Sequence, residues 1–398
     1  MVIAKGSKGP VSLLFLVALL DLIGFGIVIP ILPFMSPAFG ATQFDIALII
    51  VVYAVASGIM APFWGRLSDR IGRKKTLMIC LIGAVASYIG LAFASALWMI
   101  YLARAFAGLM AGNLPVAAAM MADLTSVEHR ASAMGKLGAA FGLGLVIGPL
   151  LGGLLSGDSG SFLLPCLTAA AMSLIACLAA GVFLQETVSK EDQILEQAAP
   201  RVAFWGSNIA FVRRTKTLNL VTQFGVHSAI VSSTTYLLPI WTAERLAYSP
   251  KQVGIVLGIQ GFIMAMIQGG LIGKLIDWFG ELRLMRWALV SLALGLTIAI
   301  FADSEYWIPL SFFIAMTGAN VCFPVLNALA SKRVDVQDRG KMMGATGSAS
   351  SWGRVLGPLT SGLAVMYFGY SVAWFVLLLL SLYYMYWAYY VADVRSFN

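Results

Sequence analysis

Gly65–Lys75 reads GRLSDRIGRKK, and 208 residues further on Gly273–Arg283 reads GKLIDWFGELR. Asp69 falls on Asp277 and Gly72 on Gly280. Beyond this point the register is longer by one residue. Pro115 falls on Pro324, Arg130 on Arg339, Gly135 on Gly344, and GPLLGG from Gly148 on GPLTSG from Gly357, all at an offset of 209. A near-constant offset held over such a length marks an internal duplication. In a membrane chain it predicts two like bundles about an axis along the membrane normal, with a site between them near mid-membrane.

The chain is a membrane chain by composition. Its 398 residues are 60% hydrophobic and 11% charged, with a mean hydropathy of +0.88. Soluble proteins carry about 25% charged residues. Apolar runs recur that are long enough to cross a ~30 Å hydrocarbon core as helices. Twelve spans are expected, at 11–34, 45–66, 76–96, 98–123, 133–157, 162–184, 217–241, 251–273, 284–303, 305–331, 341–367 and 370–392. The fold class is therefore an all-α membrane protein of two six-helix bundles, 1–184 and 217–398, joined by a linker over 185–216. The first run is too long for a cleaved signal peptide and contains an acid. Cys80, Cys166, Cys177 and Cys322 all fall in apolar runs and read as core packing. His129 and His227 are too few and too far apart for a metal site, and none is expected.

Charge sets the orientation. Loops on the N-terminal side hold 22 of the 26 Lys and Arg, and the other side holds only Arg245 and Lys251. That bias places both termini in the cytoplasm. It also accounts for the net charge of +8 without nucleic acid, since the cations face anionic lipid. In the linker, KEDQILEQ (190–197) is polar, whereas RVAFWGSNIAFVRR (201–214) mixes aromatics and cations. The second stretch reads either as an amphipathic surface helix or as a plain tether.

Polar groups inside the spans are the candidate functional residues, because a charge there is costly and must face the interior or a wet cavity. Asp21 lies about ten residues into span one, or ~15 Å of rise from the cytoplasmic edge. It is the one acid placed deep within a span. It reads as a proton carrier, with a fixed ion pair or cap as the alternative. Arg104, Arg354, His227, Asn113, Gln223, Gln260, Gln268, Asn320 and Asn327 are the other intramembrane polar groups. His227 sits in span seven roughly where span one has Asp21. It either shares proton traffic or is simply hydrogen-bonded in the bundle. The amides either line a cavity or cross-link helices. Arg354 replaces an apolar residue, GRVLGP standing where the first half has GLVIGP. A buried guanidinium there would bind an anionic substrate group or pair with Asp21. In the 65–75 loop the glycines permit a tight turn. The cations either pair with acids at helix ends, Asp123 among them, or only enforce topology. Gly144, Gly148 and Gly152 form a small-xxx-small stripe for close helix approach, and Pro149 permits a bend.

These motifs resemble the major facilitator superfamily over nearly the whole chain. GRLSDRIGRKK (65–75) is similar to the family's loop motif between spans two and three, and RAFAG (104–108) to its fourth-span motif, with Ala107 where glutamine is frequent. GLVIGPLLGG (144–153) resembles the fifth-span antiporter motif. LDLIGFGIVIPILP (20–33) resembles the first-span motif of twelve-span drug:proton antiporters, the branch that includes tetracycline exporters. By resemblance Arg104 would assist proton transfer; with the placements above, the candidates for proton coupling are Asp21, Arg104 and His227, and those for substrate binding are Asp21, Asn113, Gln223, His227, Gln260, Asn320, Asn327 and Arg354. Paired acids and cations at these helix ends would form a cytoplasmic latch, its candidates being Gly65, Asp69, Arg70, Gly72, Arg73, Asp123, Arg130 and Asp277. The resemblance implies a hinge of Gly144, Gly148, Pro149, Gly152, Gly357 and Pro358.

No P-loop, HExxH or nucleophile–base pair is visible, so neither an enzyme nor an ATP motor is expected. The drive would be an ion gradient, with no cofactor. Three functions fit: a proton-coupled exporter of amphipathic small molecules, a transporter of one anionic or chelating metabolite (a siderophore, sugar acid or lipid), or a non-transporting receptor. The expected setting is a monomer in a bacterial inner membrane.

Overall fold

A computed structural model describes residues 8–126, 129–158, 160–189, 191, 193, 211–213, 215, 217–335 and 338–392. Among these, helices follow one another in the predicted order: Lys8–Val28, Gln43–Ile71, Arg73–Ala92, Leu97–Leu109 with Asn113–Asp123, Arg130–Ser156, Leu163–Phe183, Leu218–Leu246, Pro250–Met266 with Ile272–Phe279, Glu281–Phe301, Trp307–Lys332, Arg339–Phe368 and Tyr370–Tyr386. Ten of the spans are long and apolar enough to cross a membrane. The other two, the seventh (29 residues) and the eleventh (30 residues), have the length but are rich in serine, threonine and glycine. Helices suit this chain because lipid cannot satisfy backbone N–H and C=O groups, and a helix pairs them internally.

Four spans depart from the expectation. The second helix runs on to Ile71, so Gly65 lies inside a helix and not in a turn. The reversal falls at Gly72 alone, where φ is +104°. The fourth span is broken at Met110–Gly112, between Leu109 and Asn113. There the chain must pass close to its neighbours: a Cβ on Gly112 would lie 2.5 Å from the Trp64 ring. Trp64 Nε1 donates to Leu109 O at 2.6 Å, satisfying a carbonyl at the break. The eighth span contains a π-helical turn at Ile267–Leu271, and the twelfth ends in another at Trp387–Val391.

The chain divides into two compact units. The first comprises Met1–Gly40, Val52–Val202 and Ser249–Gly261, and the second Ala41–Val51, Ala203–Tyr248 and Phe262–Asn398. The start of span two thus belongs with the second unit, and the start of span eight with the first.

Each unit is keyed by a glycine seam. In the first, spans one and five touch backbone to backbone: a Cβ on Gly148 would sit 2.6 Å from Gly26 Cα, and one on Gly144 2.6 Å from Leu22 Cβ. Gly152 faces the Ile27 carbonyl in the same way, and Gly153 meets Gly254 of span eight. In the second unit, Gly353 and Gly357 of span eleven bring their backbones against Gly225 O and Ala229 O of span seven. Both helices run unbroken through Pro149 and Pro358. The second unit's core adds aromatics, Trp241 lying 5.0 Å from Trp374 between ring centroids. All four cysteines are buried and free of disulfides.

Candidate functional site

Asp21 is 9% exposed. Asn113 Nδ2 donates to its Oδ2 at 2.6 Å, and Ser173 Oγ donates to Oδ1 at 3.3 Å. The helix break sets this geometry, because Asn113 is the first residue after it. Val17, Ala18, Leu77, Leu81 and Ala117 supply apolar walls. Both hydrogen-bond partners are neutral, so Asp21 is not the fixed ion pair that was its alternative reading. Asn113 Oδ1 has no partner among the described residues. One amide can therefore serve both protonation states, donating to the carboxylate or, flipped, accepting from the protonated acid. Ser173 adjusts by rotating its hydroxyl.

Arg104 is buried in the same unit at 5% exposure, with its guanidinium 4.4 Å from the Tyr53 ring centroid. Its Nε has no hydrogen-bond partner among the described residues. It is held by an aromatic face, a cation–π arrangement. Gln260, at the start of span eight, is buried with both amide atoms unpartnered.

In the second unit, His227 stacks on Phe323 (centroids 5.4 Å apart, 23° between planes) and meets Tyr384 edge-on at 6.1 Å. His227 Nδ1, both amide atoms of Gln223, Asn320 Nδ2 and the Tyr384 hydroxyl are buried with no hydrogen-bond partner among the described residues. An unsatisfied buried polar atom costs roughly 1–3 kcal/mol, so a cluster of them points to a surface built to take polar ligand groups. Gln223 and His227 are one helical turn apart and share a face. Gln268 donates to Asn320 O at 3.3 Å. Asn327 donates to Phe323 O of its own helix at 3.0 Å, which ties its amide to local structure. Arg354 was expected to be buried. It is exposed, and Nη2 donates to Ser351 Oγ at 3.0 Å.

The 65–75 motif forms a network within the first unit. Arg73 contacts Asp69 at 2.5 Å, Asp123 at 3.1 Å and Ser68 Oγ at 2.6 Å. Thr187 Oγ1 also donates to Asp123, at 3.1 Å. Glu186 accepts from the backbone N–H groups of Arg73 (2.7 Å) and Lys74 (3.2 Å), an anion on a helix N-terminus. Lys74 Nζ returns the contact at Gly181 O, 2.7 Å away, near the C-terminal end of span six. A Cβ on Gly72 would strike the Glu186 carboxylate. Arg70 is engaged as well. The side chain of Arg130 lies outside the described residues. Asp277 is exposed.

The second half repeats this pairing with its charges reversed. Arg73 and Asp123 correspond in the repeat register to Glu281 and Lys332, and Lys332 Nζ lies 2.7 Å from Glu281 Oε1. The two registers would have indicated this pair from sequence. Ser173, Tyr53, Glu186 and Tyr384 had no such signal.

A helical chain with a buried acid, a duplicated bundle and an ion-paired loop describes a secondary transporter. The family model of the Major Facilitator Superfamily matches residues 14–301 and 269–396, and the chain belongs to that family. It is 30% identical over 370 residues to the tetracycline resistance protein, class H, of Pasteurella multocida, covering 92% of this chain and 90% of that one. It is 26% identical over 341 residues to the quinolone resistance protein NorA of Staphylococcus aureus, covering 85% and 86%. The crystal structure of the human organic anion transporter MFSD10 superposes with a TM-score of 0.71 at 22% identity over 97% of this chain and all of that one, a likeness of fold.

Proposed function

We propose that this protein is a proton-coupled antiporter that exports amphipathic small molecules by alternating access. The carrying observation is the buried carboxylate of Asp21, alone in its burial among the described residues and held by neutral partners that suit both of its protonation states. Similarity to tetracycline and quinolone resistance proteins over at least 85% of the chain supports the substrate class. The halves 1–184 and 217–398 act as the two bundles, with Gln223 and His227 of span seven, Asn320 of span ten and Arg354 of span eleven contributing to substrate contact. Arg104 assists the proton, and Arg73 with Asp69 and Asp123 latches the cytoplasmic side. The seams at Gly148 and Gly357 keep each bundle rigid. The chain works as a monomer in a bacterial inner membrane, with both termini cytoplasmic and no cofactor beyond the proton gradient.

Proteoliposomes holding a tetracycline or a quinolone under an imposed pH gradient test this reading. Accumulation that collapses when the gradient is dissipated is expected. Intact binding with no gradient-driven flux would favour a receptor. The exposed guanidinium of Arg354 favours a second reading, in which the substrate carries an anionic group.

A further inference from the structure

A guanidinium beside a proton-carrying acid can capture it, because an opposite charge within a few ångströms favours the carboxylate. In the first unit the two groups are not paired. The titratable groups facing Arg104 are Tyr53 of span two, Tyr88 of span three and Cys166 of span six. Those facing Asp21 are Cys80 and Tyr88, both of span three. Among the described residues none of these is a carboxylate or a cation, and Tyr88, 5% exposed, is common to both sets. The contact that holds Arg104 is the Tyr53 ring, whose centroid lies 4.4 Å from the guanidinium carbon. Helix packing produces it. Gly108 is one turn on from Arg104 in the same helix, and a Cβ there would lie 2.5 Å from Tyr53 O and 2.7 Å from Ala56 Cβ. The glycine of RAFAG thus lets span four close on span two at Tyr53, which brings Arg104 over the ring. Phe25 meets the same ring at 5.6 Å between centroids, with 35° between planes. Phe25 is one turn on from Asp21 in helix Lys8–Val28, so Tyr53 touches both the helix of the acid and the cation.

We propose that Tyr53 is a positioning residue of the proton site, its ring holding the Arg104 guanidinium off Asp21 so that the acid changes charge without being locked in an ion pair. The proposal rests on the reading of Asp21 as the proton carrier. While Asp21 is protonated it is neutral, and the face of the ring is the better partner for the cation. When the proton leaves, the carboxylate attracts the guanidinium and the ring opposes that attraction. Phe25 makes the balance sensitive to movement of span one, since it carries the ring's other aromatic contact on the helix of Asp21. Span three is tied in beside the arginine, Ser87 Oγ donating to Ala103 O at 2.9 Å. Arg104 therefore acts on the proton from a set distance, and Tyr53 sets it.

The test follows thermal unfolding of the ligand-free full chain in detergent as a function of pH. Each chain is compared with its own Asp21→Asn counterpart, so the difference isolates the pH at which Asp21 titrates. Lost packing alone would lower the unfolding temperature at every pH and leave that midpoint in place. Tyr53→Leu frees the cation to reach the carboxylate and should move the midpoint down by roughly half a pH unit or more. Tyr53→Phe keeps the ring and should keep the midpoint. Phe25→Leu should move it in the same direction by less, and it decides the matter if Tyr53→Leu does not fold. In an Arg104→Gln background Tyr53→Leu should move nothing. A wild-type midpoint in Tyr53→Leu, or in Phe25→Leu where that variant decides, would overturn the proposal. So would a shift that survives Arg104→Gln, or one of equal size in Tyr53→Phe, which would assign the effect to the hydroxyl. A wild type with no Asp21-dependent midpoint would overturn both this proposal and the coupling on which it rests. Gradient-driven export by the wild type is measured alongside. Its absence, with the midpoints moving as expected, would refute the antiporter and leave Tyr53 as the residue that places Arg104.

Discussion

Asp21 and Asn113 form the contact on which coupling should depend most directly. Asp21→Asn keeps the volume and one acceptor but removes the titrating proton. Gradient-driven accumulation should fall by roughly 10²-fold or more, the lower bound for a positioned proton-transfer group. Binding measured by tryptophan quenching should survive, and wild-type accumulation by the variant would remove Asp21 as the essential carrier. The two partners should differ in weight. Asn113 is at 2.6 Å and can both donate and accept, whereas Ser173 is at 3.3 Å. Asn113→Leu should therefore lower the protons moved per substrate more than Ser173→Ala, as read by paired pH-indicator and substrate fluxes. Equal effects would mean that Asn113 acts only as a packing residue. Asp21 was legible in the sequence because an acid deep in a span is rare and costly. Ser173 and Tyr53 were not, because hydroxyls are common in these helices and distance along the chain says nothing of who meets whom. Arg354 misled for a related reason: being inside a span does not fix which face a side chain takes.

At the level of the helices, the glycines of the repeat divide by what surrounds them. Gly148 and Gly135 both recur in the second half, yet a Cβ would strike Gly26 at the first and meet nothing within 4 Å at the second. Gly148→Leu should destabilise by ~1–3 kcal/mol or more as an overpacked seam. Gly135→Ala, inside helix Arg130–Ser156, should be neutral or stabilise by up to about 1 kcal/mol. Thermal unfolding in detergent separates the two, and equal shifts would show that the seam does not control packing. The turns are a clearer trace of the duplication. Gly72 and Gly280 correspond and have φ of +104° and +76°, and Gly160 and Gly369 correspond with +72° and +84°. The span order and most ends were legible, since apolar length and positive φ are local properties. The fourth-span break was not, because its cause is the Trp64 side chain 48 residues earlier in the chain. The reversed pair Glu281–Lys332 tests whether the second half keeps a latch. With Lys332 66% and Glu281 21% exposed, its stability contribution is small, ~0–1 kcal/mol. Glu281→Lys should thus barely move the unfolding temperature while slowing transport, and adding Lys332→Glu should restore the rate. A double variant no faster than the single would assign the pair to the surface alone.

Across the whole molecule, two halves by sequence are not the same as two units by packing. The sequence divides near the linker, but Ala41–Val51 packs with the second unit and Ser249–Gly261 with the first. Gln43 donates its amide to Glu244, Tyr236 OH donates to Gln43 O at 2.7 Å, and Tyr370 OH also reaches Glu244 at 2.7 Å. In the first unit Ser249 Oγ donates to Asp158 at 2.9 Å, and Gly254 packs on Gly153. Duplication was legible because a fixed offset survives in the sequence. The exchange of helix starts was not, because it depends on packing between segments about 90 to 200 residues apart. It has a consequence for a chain cut within 194–210. Each fragment alone carries one helix start whose packing partners are on the other fragment, and lacks the start that completes its own unit. Fragments 1–200 and 201–398 expressed separately should therefore be degraded or misfold. Expressed together, each supplies the other's missing segment, and the mutual contacts need no continuous backbone. The cut removes only the linker's tether, worth an effective concentration on the order of millimolar for a short flexible linker. Crowding two fragments into one membrane offsets part of that loss. Co-expressed fragments should co-purify and recover measurable gradient-driven export. Replacing Gly254 by Leu in the second fragment should weaken recovery more than the same change weakens the intact chain. Full stability of fragment 1–200 by itself, seen as a cooperative unfolding transition at the wild-type temperature, would show that the exchanged segments are dispensable to the units they complete.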